Sequence, residues 1–276
     1  LVLLSCPLWA ILAHQNMADM PYVASLTAAL GFAMLALRTD PERRALGWRL
    51  RFGRFVSSWS AADLLWATVL VLVLPQSLYL LSRHFVIGGD TPFMWHPDRF
   101  RAGSAMGNCG LPGNVVCVGE LPVHPALQPW KGGLLWSTLA VFALWSKRHE
   151  TRLRSLLWLA CWTSVGLATA GKGAPGLVLP VAIVLGTLFA HRRWAEFGRL
   201  ELGHGLLFIA SITLPWFVQC WARHGDGFID RLILHDMVQR AFEHVHDTNA
   251  GQDVSVRYYL WQLGYGLFPW AGLSIA

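Results

Sequence analysis

Residues 62–82 read ADLLWATVLVLVLPQSLYLLS, and the only charged residue of this run, Asp63, stands next to its start. A helix needs ~20 mostly apolar residues to cross the ~30 Å of hydrocarbon in a bilayer. A spanning helix also satisfies its backbone hydrogen bonds internally, which a loop inside lipid cannot do. The stretch therefore predicts a membrane-spanning helix, and it sets the fold class for the chain around it.

Capping and proline positions fit such helices. Ser60 and Asp63 form an S-x-x-D capping box, so Asp63 is interpreted as a helix cap and not as a buried catalytic carboxylate. Prolines stand inside three apolar runs, at Pro75, Pro180 and Pro215. Because a spanning helix tolerates proline where neighbouring groups satisfy the freed carbonyl, we expect a kink at each of these positions.

The composition extends the prediction to the whole chain. Its 276 residues are 54% hydrophobic and 14% charged, with 15 Trp and 14 Phe, which is too apolar for a soluble protein. Further spans are predicted at 1–14, 21–37, 132–146, 155–170, 175–190, 203–222 and 258–276. The sequence thus predicts an all-α membrane protein, a polytopic helical bundle with about eight transmembrane helices in one domain, 1–276.

The basic residues predict the orientation of this bundle. The 22 Lys and Arg form no continuous stripe with interleaved aromatics, so no nucleic-acid partner is expected. Thirteen of them lie in the short connectors 38–54, 147–154 and 191–199. Because cytoplasmic loops collect Lys and Arg, we expect these three connectors on the cytoplasmic side of a multi-pass protein of the bacterial inner membrane. The connectors on the periplasmic side would then be 15–20, 83–131, 170–174 and 223–257.

Two of these periplasmic segments have features of their own. In the long loop, Cys109 and Cys117 flank a Gly- and Pro-containing turn, and both a local disulfide and two free thiols fit this pattern. In the juxtamembrane segment, the apolar residues of 234–246 fall on one arc of ~140°. That segment predicts an amphipathic helix on the membrane surface. His235 and His246 would stand ~16 Å apart along it, too far to share a metal ion.

Three ionisable residues, Asp19, Lys172 and Arg240, are predicted to lie at the periplasmic ends of spans. Two cations and a carboxylate at one depth could bind a lipid-linked phosphate and accept a proton. Charges at this depth also commonly anchor helix ends in the interface. The residues alone leave both interpretations open.

Four sequence motifs carry a resemblance that favours phosphate binding over helix anchoring. They are Ala18-Asp19-Met20-Pro21, Ala170-Gly171-Lys172-Gly173-Ala174-Pro175-Gly176, Leu214-Pro215-Trp216-Phe217, and His235-Asp236-Met237-Val238-Gln239-Arg240 followed by Tyr258-Tyr259 and Gly266-Leu267-Phe268-Pro269-Trp270. In this order and spacing the chain resembles the GT-C class of integral-membrane glycosyltransferases that use polyprenyl-phosphate sugars. The resemblance is strongest to the aminoarabinose-transferase-like and protein O-mannosyltransferase-like group.

The resemblance implies transfer of a sugar, with inversion, from a polyprenyl phosphate to a lipid, glycan or protein acceptor at the periplasmic face. Lys172 and Arg240 match positions that hold the carrier phosphate, and His235 and Tyr258 are further candidates for substrate binding. Asp19 matches a second acidic position, which orients the acceptor or assists the catalytic base. The expected partners are the lipid-linked donor and membrane lipids, and we expect a monomer.

The resemblance also raises expectations about what this sequence does not contain. Enzymes of this class carry an acidic motif in a first outer loop that has no counterpart here, so we expect an N-terminally truncated copy without the usual catalytic carboxylate. No cofactor is expected to be required. His235 matches a position that in some relatives helps a metal tie two outer loops together, which makes a structural zinc a hypothesis.

Two other functions fit parts of the sequence. A transporter or flippase subunit is suggested by the prolines inside spans and by the intramembrane residues Gln76 and Gln219, because transporters bind substrates at broken helices near the midplane. A catalytically incomplete homologue would keep the fold and serve as a scaffold. The expected position of Asp19, Lys172 and Arg240 near the outer boundary favours the transferase over the transporter.

Overall fold

A computed structural model describes residues 19–86, 94–97, 128–224, 226–230 and 233–234. Its helices are α1 (Asp19–Arg38), α2 (Ala61–Ser82), α3 (Pro129–Ser146), α4 (Leu153–Lys172), α5 (Ala174–Ala190), α6 (Leu202–His224) and the short α7 (Asp226–Phe228), with a 3-10 helix at Trp194–Arg199. The strands are β1 (Gly47–Phe52), β2 (Phe55–Ser60), β3 (Phe85–Val86) and β4 (Met94–Trp95).

Each predicted span that the structure describes is helical. Six of the eight predicted spans coincide with α1 to α6, and their ends differ by only a few residues. Pro21–Arg38, Ala61–Ser82 and Leu202–Trp221 are long and apolar enough to cross a membrane, and α5 is a shorter apolar helix. The other two predicted spans, the amphipathic segment from His235 onward, and Cys109 and Cys117 lie outside the described residues.

Helix α4 is the centre of the bundle. On one side, α1 approaches it closely through the buried small residues Ala29, Ala33 and Ala36, which let two helix backbones come together. Its Trp158 and Trp162 side chains stack in this contact at 6.2 Å between ring centroids. A second apolar cluster joins α4 to α2, α3 and α6. The two clusters fix α4 and orient its last residue, Lys172.

The start of α2 has the predicted cap. The Ser60 backbone N–H donates to Oδ2 of Asp63 at 2.7 Å, and the Asp63 N–H donates to Oγ of Ser60 at 3.3 Å. This reciprocal pair is a capping box, so the interpretation of Asp63 as a cap is confirmed. Further along α2, the Gln76 amide donates to the backbone oxygens of Leu72 and Ile212, at 2.8 and 3.3 Å. Gln76 thereby ties α2 to α6.

The connector before α2 folds into an antiparallel hairpin that the spans did not predict. Strands β1 and β2 pair from Gly47 opposite Ser60 to Phe52 opposite Phe55. Gly53 turns the chain with φ 59°, a left-handed conformation that glycine adopts without strain. The sequence signal was an alternation of Trp, Arg, Leu, Arg and Phe at 48–52, which is the period of a strand.

The three basic connectors meet at one end of the bundle, called here the basic end. The Ala45 N–H donates to Thr151 O and the Leu153 N–H donates to Arg43 O, both at 2.8 Å. Arg193 donates from both terminal nitrogens to Leu37 O at 3.3 Å. Antiparallel helices return each connector to this end, as the predicted alternation requires. The other end, with Lys172, is called the motif end.

Candidate functional site

The glycine-rich motif at 170–176 forms the turn between α4 and α5. Gly173 has φ 70° and ψ −139°, a backbone conformation that residues with a Cβ rarely adopt. Its N–H donates to Thr169 O at 2.7 Å and closes α4. Pro175 then starts α5 at a position where its missing N–H is not needed. The turn thus holds Lys172, the last residue of α4, at the motif end.

A second glycine of the motif sets how closely α5 approaches α4. A Cβ added at Gly176 would collide with the backbone of Ala168 and Thr169. Unlike a flexible side chain, these backbone atoms cannot move aside without shifting the helix. The motif therefore fixes the crossing of two helices as well as the position of its lysine.

Lys172 lies against the first turn of α1. Its Nζ is 5.9 Å from the centroid of the Tyr22 ring, within the range of a cation–π interaction. A Cβ at the neighbouring Gly171 would lie 3.6 Å from Cβ of Tyr22, so the two helices are also in close backbone approach here. Asp19 is the first residue of α1, one helical turn before Tyr22. Asp19, which is predicted to assist the base, thus begins α1, and Lys172, the predicted phosphate ligand, ends α4. These two helices pack together at the motif end.

The structure does not describe the remaining predicted site residues. Arg240, His235 and Tyr258 lie outside the described residues, and their roles stay predictions. Within 19–86, 94–97, 128–224 and the short stretches after it, no group of three His, Cys, Asp or Glu could hold a metal ion. The zinc hypothesis depends on His235 and is neither supported nor opposed by these residues.

The motif end also contains a buried histidine that the sequence did not single out. His84 is 1% exposed; its Nε2 accepts from the Trp130 backbone N–H at 3.2 Å, and its Nδ1 lies 2.8 Å from His96 O. Because a carbonyl only accepts, the ring proton sits on Nδ1. The ring of Trp95 lies 5.2 Å from that of His84. These contacts fasten strands β3 and β4 to the start of α3.

The basic end holds a network of ion pairs. Lys147 Nζ lies 2.7 Å from a carboxylate oxygen of Glu201, and Arg152 Nη2 lies 2.8 Å from one of Glu150. Arg154 donates to Glu196 in a buried pair. Hydrogen bonds from Arg152 lower the pKa of Glu150 to about 2. Glu150 is therefore held as an ion and does not suit proton transfer at neutral pH. The contacts of Glu196 and Glu201 with arginine and lysine give these two residues a structural role.

Comparison with known proteins gives partial matches. No family model and no solved structure matches the chain. An undecaprenyl phosphate-alpha-4-amino-4-deoxy-L-arabinose arabinosyl transferase of Edwardsiella ictaluri is 33% identical over 148 residues, covering 50% of this chain and 24% of that protein. Two transferases of the same description from Pseudomonas fluorescens are 31% identical over 141 residues and 26% identical over 199 residues. They are matched over 23% and 31% of their lengths, and over 50% and 70% of this chain.

The matched part is therefore a quarter to a third of each relative. All three names describe a glycosyltransferase, which is the class that the four sequence motifs resemble. Together with the apolar helices of the described residues, this similarity supports a relationship to membrane glycosyltransferases.

Proposed function

We propose that this chain forms the donor-binding part of a membrane glycosyltransferase that uses a sugar linked to a polyprenyl phosphate. The observation that carries the proposal is Lys172, held at the end of α4 by a glycine turn and placed beside the first turn of α1. The similarity to three arabinosyl transferases names the donor class to examine first. Undecaprenyl phosphate carrying 4-amino-4-deoxy-L-arabinose is therefore the first candidate donor.

The chemistry of such a transfer suits a lysine at this position. When the glycosyl group departs, negative charge grows on the phosphate that stays with the carrier lipid. A fixed cation beside the phosphate stabilises that charge more than it stabilises the intact donor. The Lys172 side chain is exposed, and its ammonium is a compact charge that a phosphate can approach. In the proposal, Arg240 adds a bidentate contact to the same phosphate.

The other candidate residues have supporting roles in this proposal. Asp19, one helical turn from the ring that contacts Lys172, orients the acceptor or assists the base that deprotonates it. Attack on the sugar from the side opposite the phosphate gives the inverting outcome. His235 and Tyr258 complete the substrate site, and the acceptor is a lipid, glycan or protein.

The proposed orientation places the motif end in the periplasm. Three connectors rich in lysine and arginine gather at the opposite end of the bundle, and such loops remain on the cytoplasmic side. A donor carried by a lipid then reaches Lys172 from the outer leaflet of the inner membrane. A single chain, surrounded by membrane lipids, suffices for this arrangement.

The transporter interpretation loses one of its supports. Gln76 was a candidate for a polar group that contacts a substrate within the membrane, but its amide donates to the backbone oxygens of Leu72 and Ile212. That pair of bonds gives it a structural role between α2 and α6. A transporter would also place its substrate-binding groups near the midplane, at broken helices.

A donor assay on the full-length protein tests the proposal. The protein is reconstituted in vesicles with undecaprenyl phosphate carrying 4-amino-4-deoxy-L-arabinose, other pentoses or hexoses, and both donor binding and release of undecaprenyl phosphate are measured. We expect saturable binding of one donor class and acceptor-dependent release. Binding without release would identify a catalytically incomplete homologue, and absence of binding for every donor would refute the proposal.

A further inference from the structure

A groove separates α1 from α5 near the basic end. Both helices pack on α4 in one buried cluster, and a cavity of about 530 Å³ lies between them near the basic end. That volume is in the range of small-molecule sites. The groove is lined by Leu30, Ala33, Met34, Leu37, Arg38, Ile183, Val184, Thr187, His191 and Arg193.

The walls of the groove are apolar along most of its length. Ala33 and Val184 are buried at its base, whereas Met34 and Ile183 are 50% and 48% exposed on its two sides. From Leu30 to Leu37 the lining follows α1 for ~10 Å. One leaflet of a bilayer supplies ~15 Å of hydrocarbon. The groove therefore has the shape and depth to take an extended hydrocarbon chain.

One end of the groove is basic. Arg38, His191 and Arg193 stand there, and the lining contains no Asp or Glu. Arg193 donates to Leu37 O and lies 3.5 Å from Glu196, so its role at this rim of the groove is structural. Arg38 and His191 are exposed, and neither forms an ion pair with another residue in the part of the chain that the structure describes. An anion at this rim would meet uncompensated hydrogen-bond donors.

We propose that the groove binds one acyl chain of an anionic glycerophospholipid whose phosphate contacts Arg38 and His191. An apolar channel that ends in basic groups matches a molecule with a hydrocarbon tail and a charged head, and Arg binds phosphate in a bidentate manner. A free anion would make no use of the apolar walls. The carrier lipid of the proposed reaction is assigned to Lys172 at the opposite end, so this lipid is a separate and structural ligand.

A lipid in the groove would stabilise the helix bundle. A lipid in the groove fills the gap between α1 and α5 and so stabilises the packing of α1 on α4. Because the lipid binds the folded protein only, it raises the melting temperature as the lipid concentration increases. This inference requires that the bundle lies in a membrane, but it does not require that the protein transfers a sugar.

Native mass spectrometry of the full-length protein tests the site. The protein is exchanged into detergent with phosphatidylglycerol or with phosphatidylcholine of the same acyl chains, and retained lipid is counted. Two variants probe the groove, Arg38→Gln at the rim and Met34→Trp between the walls. Their matched controls are Arg51→Gln, an exposed arginine of the hairpin at the same end, and Val178→Trp, an exposed residue of α5 outside the groove.

We expect the wild type to retain one phosphatidylglycerol in preference to phosphatidylcholine. Loss of a charge-assisted contact in Arg38→Gln should weaken retention about tenfold, and the controls should behave as wild type. Equal retention of the two lipids, or equal retention by Arg38→Gln and Arg51→Gln, would overturn the proposal. Displacement of the lipid by undecaprenyl phosphate, or by inorganic phosphate alone, would overturn it too, because the groove would then bind a different ligand. If Met34→Trp does not fold, the comparison of Arg38→Gln with Arg51→Gln still tests the proposal.

Discussion

Lys172 Nζ lies 5.9 Å from the centroid of the Tyr22 ring, so the last residue of α4 contacts the first turn of α1. The contact links two of the four sequence motifs, because Tyr22 follows Ala18-Asp19-Met20-Pro21 and Lys172 stands in the glycine-rich turn. A cation over an aromatic face at an exposed site is worth ~0.5–1 kcal/mol. This energy is enough to restrict where the ammonium points and too small to prevent it from binding a phosphate.

The first prediction concerns Lys172 itself. In the full-length protein, Lys172→Ala should weaken binding of the lipid-phosphate donor by ~1.5–3 kcal/mol, the usual cost of losing a charge-assisted hydrogen bond. Isothermal titration or a fluorescent-donor assay in detergent measures this affinity. Arg240→Ala should have an effect of the same size.

Lys131→Ala is the matched control for Lys172→Ala. Lys131 lies in the first turn of α3 at the motif end, and its Nζ is 5.6 Å from the Trp130 ring, so both variants remove a lysine that stacks on an aromatic ring. Donor binding should be unchanged in the control. Equal losses in the two variants would mean that the effect is general electrostatics, and the phosphate assignment of Lys172 would fail.

The second prediction treats Tyr22 as a positioning residue. Tyr22→Ala removes the ring beneath the ammonium of Lys172 and should raise KM for the donor several-fold, because Lys172 then samples more conformations. Tyr22→Phe keeps the ring and should behave as wild type. Steady-state kinetics with varied donor separate KM from kcat. A rise in KM for Tyr22→Phe equal to that for Tyr22→Ala would assign the effect to the hydroxyl group and contradict the positioning role of the ring.

The third prediction uses the glycine-rich turn. Gly176→Ala places a methyl group against the backbone of Ala168 and Thr169, and overpacking of this kind costs ~1–3 kcal/mol. The thermal unfolding midpoint in detergent should fall. Gly186→Ala is the control, because it lies in the same helix and a Cβ there meets nothing within 4 Å. Gly186→Ala should keep or raise the midpoint, because alanine has a higher helix propensity than glycine, and a fall of equal size in both variants would contradict the role of the α4–α5 crossing.

Hydrophobic runs were enough to predict α1 to α6, because a bilayer demands long apolar segments whatever they pack against. The cap at Ser60 was predictable for a similar reason, since a capping box needs only four consecutive residues. The hairpin at 47–60 was missed because span prediction weighs hydropathy and ignores the alternation at 48–52. The contact of Tyr22 with Lys172 and the ion pairs Lys147–Glu201 and Arg154–Glu196 join residues far apart in sequence, and no local pattern encodes such pairing.

The fourth prediction concerns the buried pair of Arg154 and Glu196, whose side chains are 6% and 10% exposed. Glu196→Leu leaves the Arg154 charge buried without its carboxylate and should destabilise the protein by ~3–5 kcal/mol. Arg154→Met should cost less, because Glu196 keeps Arg193 at 3.5 Å and Arg199 at 3.9 Å. The double variant should recover most of that loss, because two apolar side chains replace the pair. Unfolding midpoints of the four proteins form a double-mutant cycle. Additive losses would show that the two side chains are not coupled.

The last prediction is the pH dependence set by Glu150. Arg152 donates to its carboxylate from Nε at 3.0 Å and from its backbone N–H at 2.9 Å, and its hydrogen bonds lower the pKa of Glu150 from 4.5 to about 2. A lowered pKa means that the folded state holds the ionised form more tightly than the unfolded chain. The resulting stability is complete above about pH 4.5 and is lost as the pH falls towards about 2.

Glu150→Gln should therefore melt below the wild type at pH 7, and the difference should shrink from pH 4.5 downward. Because 54% of the Arg152 side chain is exposed, solvent screens the pair and the difference should be at most about 1 kcal/mol. Glu42→Gln removes an exposed carboxylate at the same end whose charge acts on Arg152 more weakly than that of Glu150, and it should lower the midpoint less than Glu150→Gln. A gap between Glu150→Gln and wild type that stays constant down to pH 3 would show that packing of the side chain, and not its charge, stabilises the basic end.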